Sequence, residues 1–265
     1  MATDSVFRLD GRVALITGAG SPTGIGFATA RFLGRMGASV YVTGASDRVS
    51  DREAELRAEG IVAGSSAADL TVDAEVDQLI ERVVSALGRI DIVVNNAGMT
   101  SVAKPMEASG ETGSVADMSR AEWDASLTRN LTTAFLVSKA ALPALRASGH
   151  GRIISVASVT GPVMGMANDA SYAASKAGMV GLNRSLAIDE AAAGITANTV
   201  APGWIATGSQ TPHEARQGHT VPVGRSANPD EVAACIGFLA STEAAYVTGQ
   251  VLVVDGGNSI AEERA

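Results

Sequence analysis

The chain has 265 residues, of which 46% are hydrophobic and 18% are charged, and its formal net charge at pH 7 is −8. A chain of this length buries enough surface to fold without cross-links, and its single cysteine, Cys235, excludes an intramolecular disulfide. It has no apolar run of about 20 residues, which a bilayer span needs, and no basic block that would attract a phosphate backbone. We therefore expect a cytoplasmic protein with no membrane span and no nucleic-acid partner.

The chain alternates short apolar runs, rich in valine and isoleucine, with segments of helical period. This pattern is typical of parallel strands joined by crossover helices. The predicted strands are Val13–Thr17, Ser39–Thr43, Ile61–Ser65, Ile90–Asn95, Ile153–Ala157, Thr196–Val200 and Val251–Val254. Several lack polar alternation, as strands covered on both faces do. With about six helices and no proline- and serine-rich linker, the pattern predicts one doubly wound α/β domain over residues 1–265.

Three helices have clear periodicity or end signals. Apolar residues over 25–36 follow the spacing of one helix face, and Gly37 ends that helix. A second apolar stripe covers residues 72–87. Asn228 and Pro229 supply a cap and a first-turn proline for a helix that continues to about Ala240.

Two polar, aperiodic stretches interrupt this alternation, at residues 100–117 and 208–222. Both follow the carboxyl ends of predicted strands, where ligands bind in open α/β sheets. Loops of this length in a compact domain are usually lids or binding loops, and ordinary surface insertions are the alternative.

A glycine-rich turn follows the first strand directly and extends from Thr17 to Gly26. Glycines permit a tight turn and a close backbone approach, while the N–H groups and positive end of the next helix attract a pyrophosphate. A turn in this position, between a strand and a helix, predicts a dinucleotide site. The alternative is a purely structural turn.

Tyr172 and Lys176 lie four residues apart, hence on one face of a predicted helix. A nearby cation favours the phenolate and lowers the pKa of a tyrosine, so we expect Tyr172 to be a usable proton donor and acceptor. On spacing alone, an exposed i,i+4 pair is the competing interpretation.

Taken together and in order, these motifs resemble the short-chain dehydrogenase/reductase family over residues of about 8 to 260. The motifs that carry the resemblance are Thr17–Gly26, the run Asn95-Asn96-Ala97-Gly98, Asn130, Ser158, the Tyr172/Lys176 pair and Pro202-Gly203. The resemblance implies a single-domain Rossmann fold with helices on both faces of the sheet, which binds NAD(P)(H) and transfers a hydride between nicotinamide and a ketone or secondary alcohol.

The same resemblance implies roles for four catalytic residues. Tyr172 would protonate the carbonyl oxygen, and Lys176 would hold the nicotinamide ribose. Ser158 would bond the substrate oxygen; we prefer it to Ser155 because the Val-Thr-Gly after it matches the strand end of the family. Asn130 would anchor a water that links Lys176 to solvent, and its alternative is a polar residue bonded to the helix backbone. We expect no metal site.

The cofactor residues implied by the resemblance line one groove. They are Gly18, Gly20, Ser21, Thr23, Gly24, Ile25 and Gly26 of the turn; Ser46 and Arg48 after the second strand; Asp69, Leu70, Asn96, Ala97 and Gly98; Tyr172 and Lys176; and Pro202, Gly203, Ile205 and Thr207 over the nicotinamide. Asp69 would accept a hydrogen bond from the adenine amino group, with a solvated loop aspartate as the alternative. Asn96 would also brace the centre of the sheet.

The glycine turn departs from the family pattern. Five residues separate Gly18 from Gly24 where the family usually has three, so we expect a longer turn in which Pro22 cannot donate an N–H. The hydroxyls of Ser21 and Thr23 are the expected substitutes.

Cofactor preference depends on the end of the second strand. Gly44 replaces the carboxylate that would bind a 2′-hydroxyl and repel a 2′-phosphate. Ser46 and Arg48 are placed to receive that phosphate, so NADP(H) is favoured, and NAD(H) is the alternative.

The C-terminal third, including the run Asn228-Pro-Asp-Glu231 and the run Asp255-Gly-Gly, resembles 3-oxoacyl-acyl-carrier-protein reductases. The expected substrate is therefore a 3-oxoacyl thioester, with a small, sugar or cyclic secondary alcohol as the alternative. The charge of −8 weighs against an acidic carrier protein. A non-catalytic nucleotide-binding regulator is the hypothesis from another class.

Family members are commonly tetramers built on the helices that contain Asn130 and Tyr172, so a homotetramer is expected. The small residues over 173–193 suit close helix packing.

Overall fold

A computed structural model of the chain describes residues 6–98 and 113–262. Seven strands form one sheet in the order β3-β2-β1-β4-β5-β6-β7, and every pairing is parallel. The strands are β1 Val13–Ile16, β2 Ser39–Gly44, β3 Ala63–Ala67, β4 Ile92–Asn95, β5 Arg152–Val156, β6 Thr196–Pro202 and β7 Val251–Val254. All seven predicted strands are confirmed, with ends displaced by no more than two residues. No described helix is long and apolar enough to cross a membrane.

The described residues contain eight α-helices, two more than the sequence pattern predicts. They are α1 Ile25–Arg35, α2 Arg48–Ala58, α3 Asp73–Leu87, α4 Arg120–Leu127, α5 Thr133–Ser148, α6 Ala170–Asp189, α7 Pro212–Gly218 and α8 Pro229–Ala240. The helices predicted over 25–36, 72–87 and 228–240 are confirmed as α1, α3 and α8.

One of the two predicted loops is wrong in part. Residues 208–222 contain α7, which begins at a capping box in which the Thr211 hydroxyl accepts from the backbone N–H of Glu214, and the Glu214 carboxylate accepts from that of Thr211. Pro212 occupies the first turn, where its missing N–H costs nothing. Most of the other predicted loop, over 100–117, lies outside the described residues.

Successive side chains of each strand point to opposite faces, and both faces are covered. Ala14 and Ile16 of β1 face α1, α2 and α8, whereas Val13 and Leu15 face α3, α5 and α6. Each face has a continuous aliphatic core, so the predicted doubly wound arrangement is confirmed. Small residues permit close helix contacts: a Cβ added at Gly237 of α8 would lie 2.7 Å from Phe32 Cε1 of α1.

The strand order reverses between β1 and β4, which places a crevice at their carboxyl ends. The glycine turn follows β1, the run from Asn96 to Gly98 follows β4, Ser158 follows β5, and Pro202 ends β6. The parallel sheet therefore brings the motifs, which are far apart in sequence, to a single edge.

Candidate active site

The glycine turn forms a cradle that side chains would fill. Gly18 has the left-handed φ of +68°, and a Cβ there would lie 2.8 Å from Ala97 Cα. A Cβ at Gly26 would lie 2.7 Å from the Gly18 carbonyl oxygen. No side chain caps α1, whose N-cap is Gly24 and whose first residue is Ile25. Close backbone approach beside an uncapped helix N-terminus fits the pyrophosphate of a dinucleotide.

Asn96 holds this cradle against the end of β4. Its Nδ2 donates to the carbonyl oxygens of Thr17, at 3.0 Å, and Gly18, at 3.1 Å. The Thr17 hydroxyl accepts from the backbone N–H groups of Asn96 and Ala97. The predicted bracing role of Asn96 is therefore confirmed.

Thr23 connects the glycine turn to the segment after β6. Its hydroxyl accepts a hydrogen bond from the Gly208 N–H at 3.0 Å, which leaves the hydroxyl proton of Thr23 available to a ligand. Gly203 packs closely on the C-terminal strand, since a Cβ there would lie 2.8 Å from Asp255 Cβ. Ile205 is buried, and the Thr207 hydroxyl bonds that of Ser209. The segment from Pro202 to Thr207 thus faces the same crevice as the turn.

At the far end of the crevice, Ser46 and Arg48 are exposed and adjoin each other, with Arg48 Nε donating to Ser46 Oγ at 3.3 Å. Asp69 Oδ1 accepts from the backbone N–H and the hydroxyl of Thr71, and these hydrogen bonds hold the pKa of Asp69 below its usual value. Asp69 is thus a charged, exposed acceptor, while Leu70 beside it is buried.

Arg52 of α2 is a site residue that the sequence interpretation missed. Its side chain is nearly buried behind the turn, with Nη1 3.4 Å from the carbonyl oxygen of Gly20 and the guanidinium over the Phe27 ring. Gly20 itself has room, since a Cβ would meet nothing closer than 3.8 Å. An arginine in a polar helix gives no sequence signal of such a contact.

The catalytic candidates meet above the ends of β4 and β5. Tyr172, in the first turn of α6, lies near the Ser158 hydroxyl, which acts to lower the pKa of Tyr172. The Ser158 hydroxyl also accepts from the backbone N–H of Thr160 at 3.1 Å, which fixes its orientation. Ser155, in contrast, is buried within β5 and donates to Asn183 Oδ1. The structure therefore places Ser155 within the sheet and Ser158 beside Tyr172.

Lys176 and Asn130 lie together behind Gly98. A Cβ added at Gly98 would lie 2.7 Å from Asn130 Oδ1 and 3.5 Å from Lys176 Nζ. Lys176 Nζ donates to the Val156 carbonyl oxygen at 3.1 Å and lies 5.6 Å from the centroid of the Tyr172 ring. The four residues singled out in the sequence are therefore brought together in one cluster.

A π-helical turn over Thr128–Thr132 joins α4 to α5 and contains Asn130. Asn130 is fully buried, and its Nδ2 donates to the Ser126 carbonyl oxygen. The backbone bond that the alternative interpretation required is therefore present, but the oxygen of the same amide points toward Gly98 and Lys176. Single π turns inside helices are frequent at functional sites because they redirect one side chain.

A short-chain dehydrogenase family model, described as enoyl-(acyl carrier protein) reductase, matches residues 18–259. The chain belongs to the short-chain dehydrogenase/reductase family. Its members are oxidoreductases that use nicotinamide cofactors and act on small-molecule substrates, so the non-catalytic hypothesis is set aside.

The names of the relatives of this short-chain dehydrogenase/reductase mention different substrates. It is 39% identical to a cis-4-hydroxycyclohexanecarboxylate dehydrogenase of Sinomonas cyclohexanicum, over 93% of this chain and 96% of the relative. It is also 39% identical to the 3-oxoacyl-acyl-carrier-protein reductase FabG of Vibrio cholerae, over 94% of this chain and 98% of the relative. A solved structure from Agrobacterium tumefaciens, assigned as a gluconate dehydrogenase, has a TM-score of 0.86 at 30% identity and covers 97% of this chain and 99% of its own.

Burial dominates the electrostatics of this active site. Tyr172 is 7% exposed, and desolvation raises its pKa above the ordinary value, with smaller contributions from Asp169 and Glu214; the hydrogen bond from Ser158 opposes them. The predicted lowering of this pKa by Lys176 is therefore wrong for the protein without ligands. Desolvation also lowers the pKa of Lys176 to about 8, because burial penalises the charged ammonium.

Asp169 is a second residue that the sequence interpretation missed. It immediately precedes α6, three residues before Tyr172, and is 3% exposed. Desolvation and then the nearby charge of Glu214 raise its pKa to about 6. An acidic residue three positions before the candidate tyrosine was the available signal. Within residues 6–98 and 113–262, no group of three or more histidine, cysteine or acidic side chains is placed to hold a metal ion.

Replacing Asp169 by asparagine should stabilise the protein in a pH-dependent manner. A carboxyl whose pKa is about 6 when folded and about 3.8 when unfolded takes up a proton on folding between these pH values, so its contribution to stability falls as pH rises through this range. Asp169→Asn removes that loss, and its advantage over wild type should grow by about 2 kcal/mol between pH 4 and pH 8 in urea unfolding. Asp189→Asn, at the exposed end of the same helix, is the control. A difference that does not change with pH would contradict the assignment.

Proposed function

We propose that the protein transfers a hydride between a nicotinamide cofactor and a ketone or secondary alcohol, with Tyr172 as the group that exchanges a proton with the substrate oxygen. The observation that carries this proposal is the cluster of Ser158, Tyr172 and Lys176 beyond the carboxyl end of β5, at the same sheet edge as the glycine turn. A bound nicotinamide would supply or accept the hydride. Every other group the reaction needs belongs to the chain.

Tyr172 acts as the acid in ketone reduction. Because burial raises its pKa, Tyr172 is protonated at neutral pH, the form that can donate from Oη to the carbonyl oxygen. As that proton leaves, the ammonium of Lys176 beside the ring stabilises the phenolate. The Ser158 hydroxyl orients the same substrate oxygen and stabilises its developing charge.

Lys176 and Asn130 serve to hold the cofactor and return the proton. Lys176 Nζ donates to the Val156 carbonyl oxygen and to Met179 Sδ, and its third N–H would bond a nicotinamide ribose hydroxyl. Asn130 Oδ1, directed at the same space, would anchor a water that carries protons from solvent. The buried position of both residues excludes bulk water from this path.

NADP(H) is the proposed cofactor. Gly44 ends β2 without a carboxylate, and the adjoining side chains of Ser46 and Arg48 are exposed beyond it. A hydroxyl and a guanidinium in this position suit a 2′-phosphate, which an acidic residue would repel.

Two substrate classes are supported by the relatives. The 3-oxoacyl thioester predicted from the C-terminal motifs matches the name of one relative, and a cyclic secondary alcohol matches the other. The carboxyl groups of Asp169 and Glu214, both close enough to Tyr172 to influence its pKa, repel an acidic carrier protein and also a carboxylate substrate, so they favour an alcohol or ketone without negative charge. A homotetramer stays a prediction; Phe135 of α5 and Ile188 of α6 are exposed apolar side chains that suit it.

Tyr172→Phe should lower kcat for ketone reduction by about 100-fold or more, since general acid catalysis contributes at least that factor. Cofactor binding, followed by fluorescence, should be retained. Tyr41→Phe is the matched control: Tyr41 is also buried, and its hydroxyl donates to the Ser65 carbonyl oxygen far from the crevice. Full activity of Tyr172→Phe would contradict the proposed proton transfer.

Arg48→Ala should raise KM for NADPH about 10-fold or more, because a charge-assisted bond to phosphate is lost. KM for NADH should stay within about 2-fold, which makes NADH the internal control. Steady-state rates with each cofactor decide the matter, and a wild-type preference for NADH would overturn the assignment of NADP(H).

A further inference from the structure

Asp169 immediately precedes α6 but does not cap this helix. An aspartate that precedes a helix usually accepts a hydrogen bond from a first-turn N–H, but the Asp169 side chain makes no such bond to α6. Only its backbone oxygen is used, by the N–H of Ala173. Asp169 Oδ1 is buried and has no hydrogen-bond partner. Helix capping therefore does not explain this carboxyl group.

A buried carboxylate without a partner is costly, and proteins retain such groups mainly at functional sites. No ion pair within 4 Å includes Asp169 among the described residues, and the nearby charge is the acidic Glu214. Glu214 is itself engaged, since its Oε2 accepts from the backbone N–H of Thr211. Among the described residues, this place therefore has acceptors and no donor.

The position of Asp169 relative to Tyr172 indicates what that donor is. Residues three apart at the start of a helix lie on one face, and the charge of Asp169 reaches Tyr172 strongly enough to affect its titration. A substrate whose carbonyl oxygen bonds Tyr172 and Ser158 would place its neighbouring atoms beside Asp169. A negative group in that position would be repelled by both carboxylates, whereas a hydroxyl or ammonium group would be bound.

We propose that Asp169 is a specificity residue that accepts a hydrogen bond from a hydroxyl or ammonium group on the substrate, so that the enzyme selects hydroxylated or aminated ketones and alcohols without negative charge. This inference rests on the proposed hydride transfer: the ketone gains a hydride from NADPH at carbon and a proton from Tyr172 at oxygen, which leaves an alcohol and NADP⁺. It goes further by naming the substrate class.

The test compares kcat/KM, from NADPH absorbance at pH 8, for five carbonyl compounds. They are cyclohexanone, 2-hydroxycyclohexanone, 4-hydroxycyclohexanone, 4-oxocyclohexanecarboxylate and 3-oxobutanoyl-coenzyme A. For the wild-type enzyme we expect one hydroxylated ring to exceed cyclohexanone by about 10-fold or more, the gain from a hydrogen bond to a charged group. Both anionic compounds should be poorer than that hydroxylated ring.

Asp169→Ala should reduce the preference for the hydroxylated ring to within about 3-fold and leave kcat/KM for cyclohexanone within about 3-fold of wild type. Asp169→Asn, which keeps the shape and loses the charge, should have an intermediate preference, and thermal melts of both variants check that they fold. Asp189→Asn on the same helix should retain the full preference.

Two outcomes overturn the inference. If Asp169→Ala changes kcat/KM for all compounds by one factor, Asp169 acts only through Tyr172. If 4-oxocyclohexanecarboxylate or 3-oxobutanoyl-coenzyme A is the best substrate of the wild-type enzyme, Asp169 does not select against negative charge. Both outcomes leave the hydride transfer intact, whereas absence of turnover with every compound would contradict the proposed function itself.

Discussion

The junction between the ends of β1 and β4 is the constraint on which the rest of the site depends. Asn96 donates to the carbonyl oxygens of Thr17 and Gly18, while the Thr17 hydroxyl accepts from two backbone N–H groups of the opposing strand end. These bonds hold the glycine turn so close that Gly18 has no room for a side chain. On the other side of the same run, Gly98 contacts the catalytic cluster. One short segment therefore sets the spacing between the cofactor cradle and the proton-transfer groups.

Burial shifts the pKa values of the side chains around Tyr172, and this burial lowers the stability of the fold. A phenol, an ammonium and a carboxyl group, those of Tyr172, Lys176 and Asp169, are withdrawn from water within two turns of one helix. For each group, desolvation shifts the pKa toward the neutral form. Tyr172 is thereby kept protonated, which is the form that the proposed ketone reduction requires, and Lys176 titrates near neutral pH. The structure around them has to offset the unfavourable burial, as the dense aliphatic cores on both faces of the sheet do.

Local patterns predicted the parts of this protein that depend on local physics. Apolar runs identified all seven strands, and the glycine turn between β1 and α1 was visible because its residues are contiguous. The catalytic set was chosen from its resemblance to the short-chain dehydrogenase/reductase family, and the parallel sheet brings these residues to one edge. The short helix α7 was missed because seven residues show too little period, although Thr211, Pro212 and Glu214 were a legible start signal.

Properties that arise from tertiary burial could not be predicted in this way. Spacing placed Lys176 beside Tyr172, but it gave no measure of desolvation, which reverses the expected direction of the pKa of Tyr172. Arg52 and Asp169 look like ordinary polar residues at helix positions until the packing around them is known.

The central claim is that this site moves a hydride to carbon while Tyr172 protonates oxygen. The most direct measurement is mass spectrometry of the alcohol formed from a hydroxylated ketone and NADPH carrying deuterium at C4 of the nicotinamide. We expect one deuterium on the carbinol carbon, from one face of the nicotinamide only, and almost none with Tyr172→Phe. Deuterium transfer that persists at the wild-type rate in this variant, or an alcohol without deuterium from either face, would contradict it.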